Sequence, residues 1–220
     1  MNNDYIKVKL NSNNEFRVNN VSLSVLGMSF QNVNVKIDTG CGYTTIPIQR
    51  MNMTPAQAII YKQNDVMQLL NRLNKHIDNG NSVKQALIIE QGNYFKLSYG
   101  VETGGRKHKG INFLNYQDII NASEISFRHK ASNIDINGFN LMDRDVFINY
   151  DRTGNILIGM DLLKDWDIHI ETIDNGETIF LGCPKDRISD KYLQELENTF
   201  HIASNINAMF MRQKINNTHN

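Results

Sequence analysis

The sequence has little cysteine and no excess of either charge. Cys41 and Cys183 are too few among 220 residues for a disulfide framework, and neither they nor the six histidines show zinc-site spacing. Lysine and arginine number 23 together, as do aspartate and glutamate, so no net field favours nucleic acid or an anionic membrane surface. We therefore expect no metal, no cofactor and no nucleic-acid partner.

Long apolar runs are also missing. No run approaches the ~20 residues of a membrane span, and the N-terminal residues 1–10 lack the apolar segment of a signal peptide. These absences predict a cytoplasmic protein without a membrane partner. The chain is long enough to bury one sizeable core, alone or with a helical appendage.

The most informative stretch runs from Val33 to Pro47. Residues 33–37 alternate apolar and polar side chains, which is the pattern of a half-buried strand, and Asp38 follows at the strand's end. Asp38-Thr39-Gly40 supplies an acid, a short hydroxyl that can bond backbone, and a residue free to take positive φ. The pattern therefore predicts a turn that carries a reactive carboxylate.

A second motif lies at residues 154–170. An apolar strand, Ile156–Ile158, runs into Gly159, a variable residue, Asp161 and a leucine-rich helix. The two motifs in this order resemble the retropepsin-like aspartic proteases, whose first signature is an apolar strand, Asp-Thr-Gly and a small residue. The match is IDTGC, followed by Thr44, Thr45 and Ile46.

The resemblance implies a mainly β fold: a retropepsin-like closed β-barrel, equivalent to one acid protease half-lobe, over residues 1–185. It assigns catalysis to Asp38 and support of the active-site turn to Thr39 and Gly40. It makes Gly159 and Asp161 the second signature. It also implies a mobile substrate-binding hairpin, the flap, with its tip at Thr103-Gly104-Gly105. The two glycines lie between segments in which apolar and polar residues alternate, which is a hairpin signal.

Two helical segments depart from a compact viral-type retropepsin. Thr54 and Gln57 form a capping box with Pro55 at the first helical position, and apolar residues then recur at helical spacing to Ile77. Together with the run 82–90, this predicts an inserted helical segment at about 54–90. Residues 186–220 are expected to hold a long C-terminal amphipathic helix, from Ser189 to Lys214, and a tail.

The remaining pattern is one of short strands. Alternation predicts strands at residues 5–10 and 21–26. Asn137-Gly138 and Asp174-Asn175-Gly176 lie between apolar segments and predict two hairpins.

Catalysis by this chemistry needs two carboxylates that share one proton. The chain holds one Asp-Thr-Gly, no Asp-Ser-Gly, and too few residues for two pepsin-like lobes. We therefore expect a homodimer that places both copies of Asp38 at its two-fold axis and hydrolyses a peptide or protein substrate.

Two positions depart from the family pattern. Gly42 stands where relatives usually carry Ser or Asp, and Met160 replaces the Arg of viral enzymes. These departures leave open a non-catalytic retropepsin-fold module that binds peptides or scaffolds a complex. A third alternative is an unrelated β-rich binding protein with a coincidental motif.

Overall fold

The structure is a computed structural model and describes residues 4–97, 125–150 and 154–200. The chain divides into two compact units, one of residues 19–162 and one of residues 1–18 with 163–220. The domain boundary at about 185 stays a prediction. Within the described residues, no helix is both long enough and apolar enough to span a membrane.

Strands make up most of the regular structure in the described residues. The strands are β1 (Ile6–Lys9), β2 (Phe16–Val25), β3 (Met28–Ile37), β4 (Thr45–Pro47), β5 (Phe95–Leu97), β6 (Ile125–Ile136), β7 (Phe139–Asn149), β8 (Ile156–Ile158), β9 (Trp166–Thr172) and β10 (Thr178–Pro184). The α-helices are α1 (Pro55–Asp78), α2 (Val83–Glu90), α3 (Met160–Leu163) and α4 (Asp190–Phe200).

The unit of residues 19–162 is built on a closed six-stranded barrel. Its strand order is β2-β3-β8-β4-β7-β6, and β6 pairs back onto β2, where Val21 lies opposite Ile136. β5 pairs with the first residues of β6, where Phe95 lies opposite Phe127, and β2 pairs with the later residues of the same strand. The expected mainly β fold with a closed barrel is confirmed.

The barrel's topology matters for the site because one pairing is parallel. β3 and β8 run in the same direction, with Ile37 opposite Ile158. The residues that follow two adjacent parallel strands lie at the same edge of the sheet. Asp38 and Gly159 are those residues, so the fold brings the two sequence motifs to one place.

The barrel interior is filled by the inward-facing half of each alternating strand. Val35 and Ile37 of β3 are buried while the residues between and after them are partly exposed. The largest fully buried side chains of this unit include Phe95, Phe127, Ile134 and Ile148. Their burial supplies the hydrophobic free energy that holds the strands in register.

The inserted helical segment is present as two helices. Thr54 accepts a hydrogen bond from the Gln57 amide, and the Gln57 side chain accepts one from the Thr54 amide, which confirms the predicted capping box. Ser82 and Gln85 repeat this arrangement at the start of α2. A hydrogen bond of 2.8 Å between His76 and Glu90 ties α2 to α1.

The apolar stripe predicted for α1 is only partly buried. Val66, Leu69 and Leu73 face the core, whereas Ile59, Ile60 and Met67 are at least half exposed. The predicted apolar positions span more than one face of the helix, and a helix that packs on one side buries only one of them. The same side of α1 buries a charged residue, Asp65.

Asp65 accepts hydrogen bonds from groups on three other parts of the unit. The Tyr150 hydroxyl donates to its Oδ2 at 2.6 Å and the Tyr94 hydroxyl to its Oδ1 at 3.1 Å. His129 Nε2 lies 2.8 Å from Oδ2. Burying a carboxylate is unfavourable unless such partners compensate it, so this network fixes where α1 sits on the barrel.

The network predicts loss of stability at alkaline pH. Burial, reinforced by the Asp65 charge and hydrogen bond, raises the pKa of Tyr150 and of Tyr94 well above the usual value near 10. Above about pH 10 the unfolded chain loses these protons while the folded chain keeps them. The free energy of unfolding must then fall by about 1.4 kcal/mol per pH unit for each such tyrosine.

We expect Tyr150→Phe to make the free energy of unfolding fall less steeply with pH above about pH 10. The difference should correspond to one fewer proton released on unfolding, or about 1.4 kcal/mol per pH unit. Urea denaturation at steps between pH 8 and 11, with tyrosinate absorbance recorded alongside, measures it. Equal slopes for the two proteins would show that Tyr150 ionises as readily when folded as when unfolded.

The second unit contains a three-stranded antiparallel sheet of order β1-β10-β9. α4 packs Tyr192 and Leu196 against Ile179, Leu181 and Cys183 of β10. The Lys7 hydrogen bond holds the pKa of Glu195 below its usual value. The helix predicted from Ser189 begins at Asp190 and is described to Phe200; the remainder of that prediction lies outside the described residues.

Candidate active site

Asp38 begins a tight turn directly after β3. Its amide donates to Ile158 O at 3.0 Å, which continues the pairing of β3 with β8. Its own carbonyl accepts from the Cys41 amide at 3.0 Å, and its Oδ1 accepts from the Gly40 amide at 3.1 Å. Three hydrogen bonds therefore fix both the backbone and the carboxylate of this residue.

The neighbouring turn residues differ in part from expectation. Thr39 is exposed in the single chain. Gly40 does not adopt a positive φ, so the turn does not use that part of glycine's conformational freedom. An added Cβ would instead lie 3.4 Å from Asp38 Oδ1, because the Gly40 amide is turned toward that oxygen to donate its hydrogen bond.

The carboxylate of Asp38 is open to solvent on one side. Its side chain is 31% exposed, and Lys36 Nζ lies 3.7 Å from its Oδ2. Lys36 is two residues earlier on β3, and side chains two apart on a strand share a face. Sequence reasoning placed Lys36 in the strand but missed this ion pair, which the two-residue spacing was sufficient to suggest.

The second motif holds the loop that follows the turn. Asp161 Oδ2 accepts from the Thr44 amide at 2.9 Å, and its Oδ1 accepts from the Thr44 hydroxyl at 2.8 Å and the Leu162 amide at 2.9 Å. Thr44 Oγ1 in turn accepts from the Gly159 amide at 3.1 Å. Thr44 is 1% exposed, so these bonds are shielded from water.

Gly159 allows this close approach. A Cβ at that position would lie 2.5 Å from the carbonyl carbon of Tyr43 and 2.6 Å from its oxygen. The Met160 amide also donates to Cys41 O at 2.8 Å. The described residues of the two motifs thus form one hydrogen-bonded unit behind Asp38.

We expect Thr44→Val to lower the free energy of unfolding by about 1 to 2 kcal/mol. Valine keeps the shape but leaves the Gly159 amide and one oxygen of Asp161 without the hydroxyl partner. Equilibrium urea denaturation measures the change. The control is Thr172→Val. Thr172 is exposed on a strand, and among the described contacts its hydroxyl bonds only to the Thr178 hydroxyl. A loss at position 44 no greater than at position 172 would contradict the assigned role.

The described residues include only part of the predicted site. The flap tip, Thr103-Gly104-Gly105, lies outside the described residues. In the described parts of the chain, the groups that bond or pair with Asp38 are those of Lys36, Gly40, Cys41 and Ile158, and none is a carboxylate. No cluster of three metal-ligating side chains occurs among the described residues.

Comparisons with known proteins add little. No family model matches the chain, and no curated protein matches it. Among solved structures, it is similar to a retropepsin-like aspartic protease from Rickettsia conorii. The TM-score is 0.38 at 12% identity, over 80% of this chain and 89% of that one. This similarity is too low to assign activity.

Proposed function

We propose that the protein is a retropepsin-like aspartic endopeptidase that works as a homodimer and hydrolyses peptide bonds between two Asp38 carboxylates. The observation that carries the proposal is the setting of Asp38. Asp38 is partly exposed and lies at the end of a barrel strand. Its Oδ1 accepts a hydrogen bond from the Gly40 amide and so stabilises the turn. The loop behind it is locked by Asp161 and Thr44.

The proposed homodimer supplies the second carboxylate that the reaction needs. A single acid cannot at the same moment take a proton from water and give one to the carbonyl oxygen. The described contacts of Asp38 supply no second acid. A two-fold axis beside Asp38 supplies an identical one, and two close carboxylates share a single proton. The exposed Thr39 is then available to brace the turn across the subunit interface.

The reaction balances with water as the only co-reactant. The ionised carboxylate takes one proton from the water, whose oxygen attacks the peptide carbonyl carbon. The protonated carboxyl group gives its proton to the carbonyl oxygen, forming a neutral tetrahedral diol. Collapse of the diol breaks the C–N bond, a proton passes to the nitrogen, and the products are a carboxylic acid and an amine.

The substrate would be an extended peptide. Strand-like main-chain hydrogen bonds would hold it above the barrel edge that carries Asp38, and side-chain pockets would set preference. Thr103, Gly104 and Gly105 are proposed to close over it as the flap tip.

A cleavage assay tests the proposal. We expect the purified protein to cut members of a mixed peptide library between acidic and neutral pH, to be inhibited by pepstatin, and to sediment as a dimer with a peptide-like inhibitor bound. A strictly monomeric species that still cleaves would refute the shared site. Tight peptide binding without cleavage at any pH would favour the non-catalytic binding module instead.

A further inference from the structure

Helix α1 carries a second, mostly apolar stripe on the side away from its buried face. The stripe's positions follow one another at alternating steps of four and three residues, which is the spacing of a seam that packs against another helix. We call it the heptad stripe; its members are Ala56, Ile60, Gln63, Met67, Leu70, Asn74 and Ile77. Leu70 is half-buried and the others are exposed, with Ile60, Met67 and Ile77 at 56%, 50% and 38%.

The composition of the heptad stripe is that of a contact surface. Its side chains are apolar except for the amides of Gln63 and Asn74, and none of them is charged. Charged residues are normal on the solvated face of a helix, whereas the centres of interfaces are depleted of them. The exposed cations Arg72 and Lys75 of α1 lie outside the stripe.

The heptad stripe is complementary to itself when two copies of α1 lie antiparallel. With Met67 of one copy opposite Leu70 of the other, Ile60 falls opposite Ile77. A two-fold axis midway between Met67 and Leu70 generates both pairs at once.

The same axis brings the two amides of the heptad stripe together. Gln63 of each copy falls opposite Asn74 of the other, and an amide both donates and accepts hydrogen bonds, so the pair can satisfy itself inside the contact. A parallel arrangement would match any sequence with itself. The antiparallel match requires the order of polar and apolar residues to read the same in both directions, as it does here.

The charge at the margin of the stripe also fits this arrangement. Asp78 is the charged residue among those that flank the stripe positions along α1. In the antiparallel register it falls opposite the uncharged Gln57 of the other copy, so no like charges meet. Antiparallel helices also oppose their dipoles favourably.

We propose that α1 is a self-association surface, which pairs antiparallel with α1 of a second copy of this chain through the heptad stripe. The layers from Ile60 to Ile77 span about 25 Å of helix. A contact of that length falls below the roughly 1,200 Å² that stable interfaces bury, so the association is weak and depends on concentration. It uses no residue of the proposed active site and is independent of catalysis.

The test measures self-association of the full chain by sedimentation equilibrium over a wide concentration range. Ile60→Glu and Ile77→Lys each place a charge opposite an isoleucine, and each should weaken association at least about tenfold. The double variant places glutamate opposite lysine twice and should restore association to within about threefold of the wild type. Met142→Glu adds the same charge at an exposed position on β7, 59% exposed, and should leave association unchanged.

Each outcome supports or overturns the proposal. Restoration in the double variant supports the antiparallel register, because a parallel contact would bring like charges together at both positions. A double variant as weak as the single variants overturns that register, and single variants that associate like the wild type overturn the surface. A wild type whose mass does not rise with concentration also overturns it and leaves the stripe to a partner of another kind.

Two further measurements keep the result separate from folding and from the proposed protease. Ile60 and Ile77 are exposed, so thermal unfolding of the variants should match that of the wild type. Dimers formed at Asp38 contribute equally to all the proteins compared, so differences among them report on α1 alone. Failure of peptide cleavage would therefore remove the protease assignment and leave the α1 contact standing.

Discussion

Asp38→Asn is expected to lower peptide cleavage by at least about 10³-fold while the protein stays folded. The amide keeps the size of the side chain and an oxygen that can still accept from the Gly40 amide. It cannot take a proton from water, and it cannot share one with its counterpart. The loss should therefore appear in kcat, with little change in the unfolding temperature.

This effect is measured by comparing kcat/KM for one cleaved peptide among the wild type, Asp38→Asn and a control variant, Asp174→Asn. Asp174→Asn alters an exposed acid in the turn between β9 and β10 and should keep full activity. Cleavage that survives Asp38→Asn would remove Asp38 from the mechanism.

Mixing the same proteins tests whether the site is shared. If each site uses Asp38 from both subunits, equal amounts of wild type and Asp38→Asn exchange into mixed dimers that are inactive. The activity of the wild-type subunits should then fall by about half, and further with excess variant. Activity that stays constant as the variant is added, under conditions where subunits exchange, would contradict a site built from two copies.

Gly159→Ala should have the largest effect on stability, lowering the free energy of unfolding by about 3 kcal/mol. The new methyl group would meet backbone atoms of Tyr43 at 2.5 to 2.8 Å. Backbone cannot rotate away as a side-chain tip can, so residues 41–44 must move as a unit. That movement would stretch the bonds from Gly159 to Thr44 and from Met160 to Cys41.

Gly42→Ala is the matched control because it lies in the same loop. A Cβ at Gly42 meets nothing within 4 Å, and its φ lies outside the positive region. We expect a change within about 0.5 kcal/mol. Urea denaturation of both variants, together with kcat/KM for a cleaved peptide, separates loss of fold from loss of activity. Equal stability of the two variants would show that the loop tolerates displacement at Gly159.

Cleavage should fall with stability in Gly159→Ala, because the displaced loop continues from the turn that holds Asp38. The Cys41 amide bonds to Asp38 O, and Cys41 O accepts from Met160. If Gly159→Ala is folded but inactive while Gly42→Ala keeps full activity, the second motif is needed to hold the first motif in its active arrangement.

Local features of the fold were readable from the chain alone. The capping box at Thr54 and the Asn137-Gly138 turn were predicted because each depends on residues within a few positions of each other. The second capping box, at Ser82, is equally local but was not predicted. The strand bounds were less accurate. β2 begins at Phe16 and β3 at Met28, several residues before the alternation becomes regular. Backbone pairing extends these strands through polar positions, and side-chain pattern does not report backbone pairing.

The sequence by itself determined that one acid stands at a strand's end, that a glycine and a second acid follow a later strand, and that helices separate them. Only the tertiary structure decided that β3 and β8 are parallel neighbours, so that Asp161 bonds to Thr44 across 117 positions and Gly159 meets Tyr43. It also decided that Asp65 is buried among two tyrosines and a histidine. Contacts between residues far apart in the chain depend on how the strands are ordered in the barrel, and no local pattern of residue types encodes that order.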